Sequence, residues 1–234
     1  NPRNLKSSRA ESGNFTSTPL GSLSWIRMLI TKSHAMFANR YTAFIDACTL
    51  VSVWRRNLLL TLAEAEFFRV RWSEKVLEET ERAITRLMDE RSIADSRARA
   101  AQSVASMRAA FPEALVEDFG LFEATTYGLP DRNDEHVLAA AIKTQAQALV
   151  TENLSDFPAS ALAPLAIEAR SADDFIADTI ALEEGRAVAA INRMRLRLKR
   201  PELTPEDMLR SLEAHGLPFE IVRGFLYPGH SVER

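Results

Sequence analysis

Asp134-Glu-His-Val-Leu-Ala-Ala-Ala-Ile-Lys-Thr-Gln-Ala-Gln-Ala-Leu-Val-Thr-Glu-Asn-Leu-Ser-Asp156 is the stretch whose reading decides the fold. Its first part is rich in alanine, carries Val137, Leu138 and Ile142, and has neither glycine nor proline, so it predicts a helix to about Gln147. Ala148-Leu-Val-Thr151 follows at once as a short apolar strand that runs out into the polar Glu152-Asn153. A helix that feeds straight into a strand is half of a β-α-β unit, and such units set their strands parallel.

The same alternation extends outward. Upstream, Tyr41-Thr-Ala-Phe-Ile-Asp46 is a β-prone run that ends on a carboxylate. A buried helix with room for a break is expected from Cys48 to about Phe67, and Phe67-Phe-Arg-Val-Arg-Trp72 reads as a second strand. Ser73 supplies an N-cap for a helix over Glu74–Met88, with Val76, Leu77, Ile84 and Leu87 on its apolar side. Residues 92–111 predict another helix, and 114–117 a strand. Downstream, 164–169 predict a strand and 172–178 a helix. Strands alternating with helices indicate an α/β sandwich around a mainly parallel sheet. Beyond about Ile180 only helices are expected, one over Leu182–Lys199 stopped by Pro201 and one from Thr204 to about Ala214, with Gly216 as its C-cap. Three parts follow: residues 1–35 as a disordered or non-native extension, 36–179 as the α/β domain, and 180–234 as a small helical module.

Composition narrows the function. A net charge of −3 provides no overall positive field, so any nucleic-acid contact must be local. The single cysteine, Cys48, excludes an internal disulfide and a cysteine-based zinc cluster, and suits a reducing cytoplasm. Trp25–Ile30 is too short, and too interrupted by Arg27, to cross a bilayer.

In open parallel sheets, chemistry gathers beyond the carboxyl ends of the strands. Asp46 ends one strand, Asp156 follows another, Asp131 and Asp134 open the helix that feeds the latter, and Glu78 and Glu79 lie on the helix after the second. Carboxylates with little histidine or cysteine nearby form the ligand set of a hard divalent cation. Two carboxylates about 4 Å apart repel by roughly 4 kcal/mol at an effective dielectric near 20, so such a cluster needs a cation. Each acid has an ordinary alternative. Asp46 and Asp134 suit helix caps, Glu79 a solvated helix face among Glu74, Glu78 and Glu81, and Asp156 a turn before Phe157-Pro158.

Together these segments resemble the PIN-domain ribonucleases. Phe44-Ile-Asp46-Ala-Cys-Thr-Leu-Val is similar to their opening strand, and Ser73-Glu-Lys-Val-Leu-Glu-Glu79 to their second motif. Leu129-Pro-Asp131-Arg-Asn-Asp134-Glu-His-Val-Leu-Ala-Ala-Ala-Ile142 is the most specific match, and Leu149-Val-Thr151-Glu-Asn153-Leu-Ser-Asp156-Phe-Pro resembles the last motif. The resemblance covers roughly residues 37–178. The helical tail, with Pro201-Glu-Leu-Thr-Pro-Glu-Asp, looks like that of some bacterial VapC-type toxins.

This resemblance implies a PIN-like three-layer sandwich. It also implies a magnesium or manganese site held by Asp46, Glu79, Asp134 and Asp156, with Glu78 an alternative to Glu79 and Asn153 an alternative to Asp156. Asp131 is placed behind the ligands, and Thr151 is expected to hydrogen-bond an acid or water. Implied partners are RNA, a small antitoxin protein and a second copy of the chain, with no membrane.

Arg193, Arg197 and Arg200, with Arg195 and Lys199, form a basic stripe on the tail helix, readable as an RNA contact or as a solvated face. His136 is expected to pack near the acids, His215 to lie in a loop, and Trp54 and Trp72 to lie in the core or an interface. Two rival readings stand beside the nuclease. One is a haloacid-dehalogenase-like phosphatase with Asp46 as nucleophile, although Cys48 stands where that family has its second aspartate. The other is a PIN fold that binds RNA or protein without catalysis.

Overall fold

Thr42–Ile45 forms β1, buried along its whole length in the computed structural model, which describes residues 41–123, 127–198 and 204–214. The expectations for residues 1–35, for Lys199, Arg200 and His215, and for the Gly216 cap lie outside the described residues. β1 is central in a five-stranded, all-parallel sheet of order β3-β2-β1-β4-β5. Its companions are β2 (Arg69–Ser73), β3 (Leu115–Val116), β4 (Ala148–Val150) and β5 (Glu168–Arg170). Ala43 pairs with Val70 on one side and Ala148 on the other. Such a strand is covered on both faces, which is why it reads as a continuous apolar run rather than an alternating one.

The helix expected after β1 is two helices, α1 (Ala47–Val51) and α2 (Val53–Glu64), separated by Ser52 in an extended conformation (φ −68°, ψ 120°). α2 stops short of Phe67 because Glu66 turns left-handed (φ 61°) and the Phe67 amide donates back to the Leu62 carbonyl at 3.1 Å, closing the helix end. α3 (Glu74–Glu90) and α4 (Ser96–Ala110) lie between β2 and β3. The short α5 (Gly120–Glu123) and α6 (Glu135–Lys143) lead to β4, and α7 (Ala159–Leu162) leads to β5. β5 begins later than expected. Residues 163–165 coil into a 3-10 turn around Pro164, which has no amide to give to a ladder.

Ser73 caps α3 as its sequence requires. Its fully buried hydroxyl oxygen accepts the Val76 amide at 3.2 Å. Ser73→Ala leaves that amide without a partner, and an equilibrium urea titration is expected to show a loss of about 1–2 kcal/mol.

The C-terminal helices are packed onto this core. α8 (Ala172–Leu182) continues past the expected end at Asp178, across the 179/180 boundary, and α9 (Glu184–Arg197) follows directly. α9 buries Ala187, Ala190, Ile191 and Met194 and packs against α2. Two arginines fasten its ends. The Arg186 guanidinium donates to the Ala65 carbonyl and lies 4.7 Å from the centre of the Phe67 ring. Arg197 donates both terminal nitrogens to Glu64, at 2.7 and 2.9 Å. Within the basic stripe, therefore, Arg197 is spent on a carboxylate of α2. α10 (Pro205–Ala214) closes the described chain, with the Thr204 hydroxyl accepting the Asp207 amide at 3.1 Å. Trp72 is fully buried and meets Phe111 edge to face, while Trp54 packs half-buried against the core.

Candidate metal centre

The chain leaves β1 toward β2 on one side, and β4 continues to β5 on the other, so the strand order reverses between β1 and β4. The carboxyl ends of two such strands diverge into a crevice, the usual place for a site in an open parallel sheet. Asp46 follows β1 immediately, and Thr151 follows β4.

Asp46 is held firmly. One carboxylate oxygen accepts the Ala47 amide at 2.6 Å, which caps α1. The other accepts the Thr151 hydroxyl at 2.8 Å and the Cys48 thiol at 3.1 Å. The Thr151 oxygen in turn accepts the Asn153 amide at 3.1 Å, and the Glu152 amide donates to the Cys48 sulfur at 3.2 Å. Cap and site are thus the same side chain. Burial, together with the Asp46 charge, pushes the Cys48 thiol up to about 11, which keeps it a protonated donor.

Glu79 reaches the crevice from α3, and Asp134 from the start of α6. Asp134 occupies the position before the helix, yet its side chain makes no capping hydrogen bond. Asp131 does that work one turn earlier, accepting the Asn133 amide at 2.8 Å. The capping alternative for Asp134 is therefore not what the structure shows. Burial, and then the charges of Asp46, Asp131, Asp156 and Glu79, raise the Asp134 carboxyl to about 6. Glu79 is raised as well, chiefly by burial, with Asp46 among the contributing charges. The His136 Nε2 lies 3.3 Å from the Glu79 Oε1. Burial lowers this imidazole to about 4, so it is neutral at pH 7 and supports Glu79 as a dipole rather than as a competing cation.

Asp46, Glu79 and Asp134 line one cavity of about 490 Å³, together with Asn153 and Cys48. Two expected residues stand elsewhere. Glu78, one residue from Glu79 and so about 100° round the helix, lines the neighbouring groove with Glu81. Asp156 sits half-buried in the 3-10 turn Leu154–Asp156, outside the lining, and acts on Asp134 through its charge alone. Asn153 takes the place in the lining, as its alternative reading allowed.

Three carboxylates and an asparagine side chain lining one cavity fit a hard divalent cation, and Asp134 and Glu79 are raised first by burial and then by neighbouring carboxylates. The acids share a cavity without meeting at a point. Among the described residues, no three histidine, cysteine, aspartate or glutamate side chains converge into a ready-made ligand set. Joint ligation requires Glu79 and Asp134 to turn toward the pinned Asp46.

Three features were not read from the sequence. Arg82 and Arg86 line the acidic cavity, because they follow Glu79 at helical spacing on one face of α3. That spacing was visible; that this face turns to the acids was not. Cys48 is a donor to Asp46. Arg55 ties the loop after β4 to α8, donating to Asp173 at 3.0 and 2.6 Å and pairing with Glu152 at 3.2 Å, while Glu152 accepts the Ala172 amide at 3.1 Å.

Comparison with known proteins agrees with this geometry. Residues 42–155 match the family model of the PIN domain, and residues 172–218 match that of the VapC50 C-terminal domain. The chain is 38% identical over 98 residues to "Putative ribonuclease VapC50" of Mycobacterium tuberculosis (strain ATCC 25618 / H37Rv), a match covering 42% of this chain and 58% of that protein. No solved structure matches. The PIN match, over residues that include Asp46 and Cys48, speaks for the PIN fold and against a phosphatase nucleophile loop. Strand order, acidic crevice and both family matches agree that the chain is a PIN-domain protein of the VapC type with a VapC50 C-terminal domain.

Proposed function

We propose that the chain is a metal-dependent endoribonuclease that hydrolyses RNA phosphodiester bonds, serving as the toxin of a toxin–antitoxin pair. The observation that carries this reading is the cavity at the β1/β4 crevice, where Asp46, Glu79 and Asp134 arrive from three distant parts of the chain. The name of the mycobacterial relative points the same way, and the activity is a proposal for this chain because the match spans little more than half of that protein.

Asp46, Glu79 and Asp134 are the residues that would hold magnesium or manganese, with Asn153 or Asp156 as the fourth donor. When bound, the ion supplies Lewis-acid charge that offsets the carboxylates, polarises a phosphate oxygen and makes water more acidic. The chain's own contribution is placement. The Thr151 hydroxyl and Cys48 thiol keep one Asp46 rotamer, and neutral His136 restrains Glu79. Asp134, raised by burial and then by the carboxylates around it, is stabilised in its charged form by a cation beside it. All of the candidate ligands precede residue 180, consistent with a nuclease part over 36–179 and a helical module over 180–234. α8, which crosses the boundary, and α9, through its buried face, Arg186 and Arg197, join the two parts. A small antitoxin covering the acidic cleft, possession of a homodimeric state and a cytoplasmic setting complete the reading. Among the described residues no helix is long and apolar enough to cross a membrane.

The test is cleavage of single-stranded RNA by the purified full chain. With manganese, internal cuts are expected, and EDTA is expected to slow them by at least about a hundredfold, with recovery on adding excess manganese. Equal cleavage in EDTA sinks the metal role. Absence of cutting at any metal concentration, with a cellular effect that survives Asp46→Asn, favours the non-catalytic binding module instead.

A further inference from the structure

Two arginines stand where the acidic cavity opens into its neighbour. Glu79, Arg82, Ala83 and Arg86 recur at three- and four-residue spacing, so one face of α3 lines the candidate metal centre. Arg82 and Arg86 also line the adjoining groove of about 610 Å³, as does Arg97 at the start of α4. They are therefore the ridge shared by both depressions.

Their charges are little used within the protein. Arg82 lies 4.0 Å from Glu78 and 3.9 Å from Glu79, too far for the hydrogen-bonded fork that Arg55 and Arg197 make. Arg86 forms no ion pair or side-chain hydrogen bond among the described residues, and both side chains are exposed. Cationic guanidinium groups left open beside partly buried acids are poised for an anion that arrives with the cation. Charge supports this. Three carboxylates and two guanidiniums leave the cavity one unit negative, and a divalent ion makes it one unit positive. Four residues of helix separate Arg82 from Arg86 by about 6 Å along the axis, a step comparable with that between neighbouring phosphates of an extended strand.

We propose that Arg82 and Arg86 form a phosphate-binding subsite that holds the RNA backbone next to the cleaved bond, leading the strand from the acidic cavity along α3 into the groove that Arg97 also lines. This rests on the ribonuclease reading and adds the path of the strand to it. Glu78, Glu81, Asp89 and Glu90 also border the groove, so the two arginines confine the backbone to the ridge rather than to the groove floor. The contact is ionic and bidentate in character, and it involves no base, so it contributes affinity without sequence preference.

The experiment is fluorescence anisotropy of a labelled single-stranded RNA with the full chain in an Asp46→Asn background, in manganese, over a series of salt concentrations. Arg82→Gln with Arg86→Gln is expected to raise Kd at least about tenfold at low salt. It is also expected to reduce the salt slope by about 1.4, from roughly 0.7 per phosphate contact on a single strand. Arg82→Lys with Arg86→Lys keeps the charge and is expected to keep most of the slope. Arg86→Gln alone, at an exposed position without partners, provides a variant whose fold is not at risk and is expected to lower the slope by about half as much. Unchanged slopes in both glutamine variants, or equal losses with lysine and glutamine, overturn the subsite. If the unsubstituted chain cuts RNA while these variants bind normally, only the subsite fails. If the unsubstituted chain neither binds nor cuts RNA, the ribonuclease reading fails and takes the subsite with it.

Discussion

Asp46→Asn is expected to lower the single-turnover rate of RNA cleavage by about a hundred- to ten-thousandfold while leaving the chain folded. The substitution is nearly isosteric, and the amide oxygen still accepts the Ala47 amide that caps α1. The other side changes. An NH2 replaces the oxygen that accepts from both Thr151 and Cys48, and the negative charge is gone. Charge stabilisation by an active-site metal is worth several kcal/mol, and each 1.4 kcal/mol is about tenfold in rate, so losing the best-held ligand costs roughly two to four powers of ten. Stability should move little, because one donor pair is weakened while the like-charge repulsion on Asp134 and Glu79 is relieved. A rate within tenfold of the unsubstituted chain, measured at saturating manganese, would remove Asp46 from the chemistry. A collapsed melting curve would show that its hydrogen bonds to Thr151 and Cys48 chiefly hold the fold.

Ile191→Ala should destabilise the whole chain by about 2–4 kcal/mol, although the residue lies in the C-terminal extension. Ile191 is 1% exposed and belongs to the same hydrophobic cluster as Leu58, Leu59 and Phe68 of the α/β domain. Truncation removes three carbons and opens a void against α2 that the fixed backbone cannot fill. For a domain of this size the loss corresponds to a fall of roughly 5–15 °C in Tm. Circular dichroism follows the helices, and tryptophan fluorescence, in a Trp25→Phe background, follows Trp54 and Trp72 in the α/β part. Coincident transitions, both displaced, are expected from a shared core. A fluorescence transition that stays in place while helical signal is lost at lower temperature would show that α9 melts as a separate unit.

The coupling matters for the site as well as for stability. Arg55 sits in α2, the helix on which α9 rests, and holds both Glu152 in the loop after β4 and Asp173 in α8. Thr151 and Asn153 flank Glu152, so the loop that presents donors to the cavity is clamped from the C-terminal side. α8, the helix that leads into the extension, thereby helps hold the loop at the acidic crevice.

The strands and helices were legible because their signals are local. Tyr41–Asp46, Phe67–Trp72 and Ala148–Thr151 carry apolar runs bounded by polar residues; β1 and β4 formed within them, and β2 starts two residues later and ends one later, at Ser73. The Ser73 cap, the Asp46 position after a strand and the approach of His136 to the acids were likewise readable one segment at a time. What failed locally failed for local steric reasons. Ser52 broke the first helix, Glu66 ended the second early, and Pro164 delayed β5.

By itself the amino-acid order determined an α/β chain with parallel strands and acids stationed just after them, since hydrophobic period, capping and turn chemistry act within a few residues. Only the tertiary structure decided that Glu79 rather than Glu78 faces Asp46, that Asn153 lines the cavity in place of Asp156, and that Arg82 and Arg86 stand among the acids. It also showed Arg197 engaged by Glu64. These outcomes depend on the rotation of α3 about its axis and on the strand order reversing between β1 and β4. Both are settled by packing between segments far apart in the chain, where a turn of about 100° per residue exchanges one side chain for its neighbour.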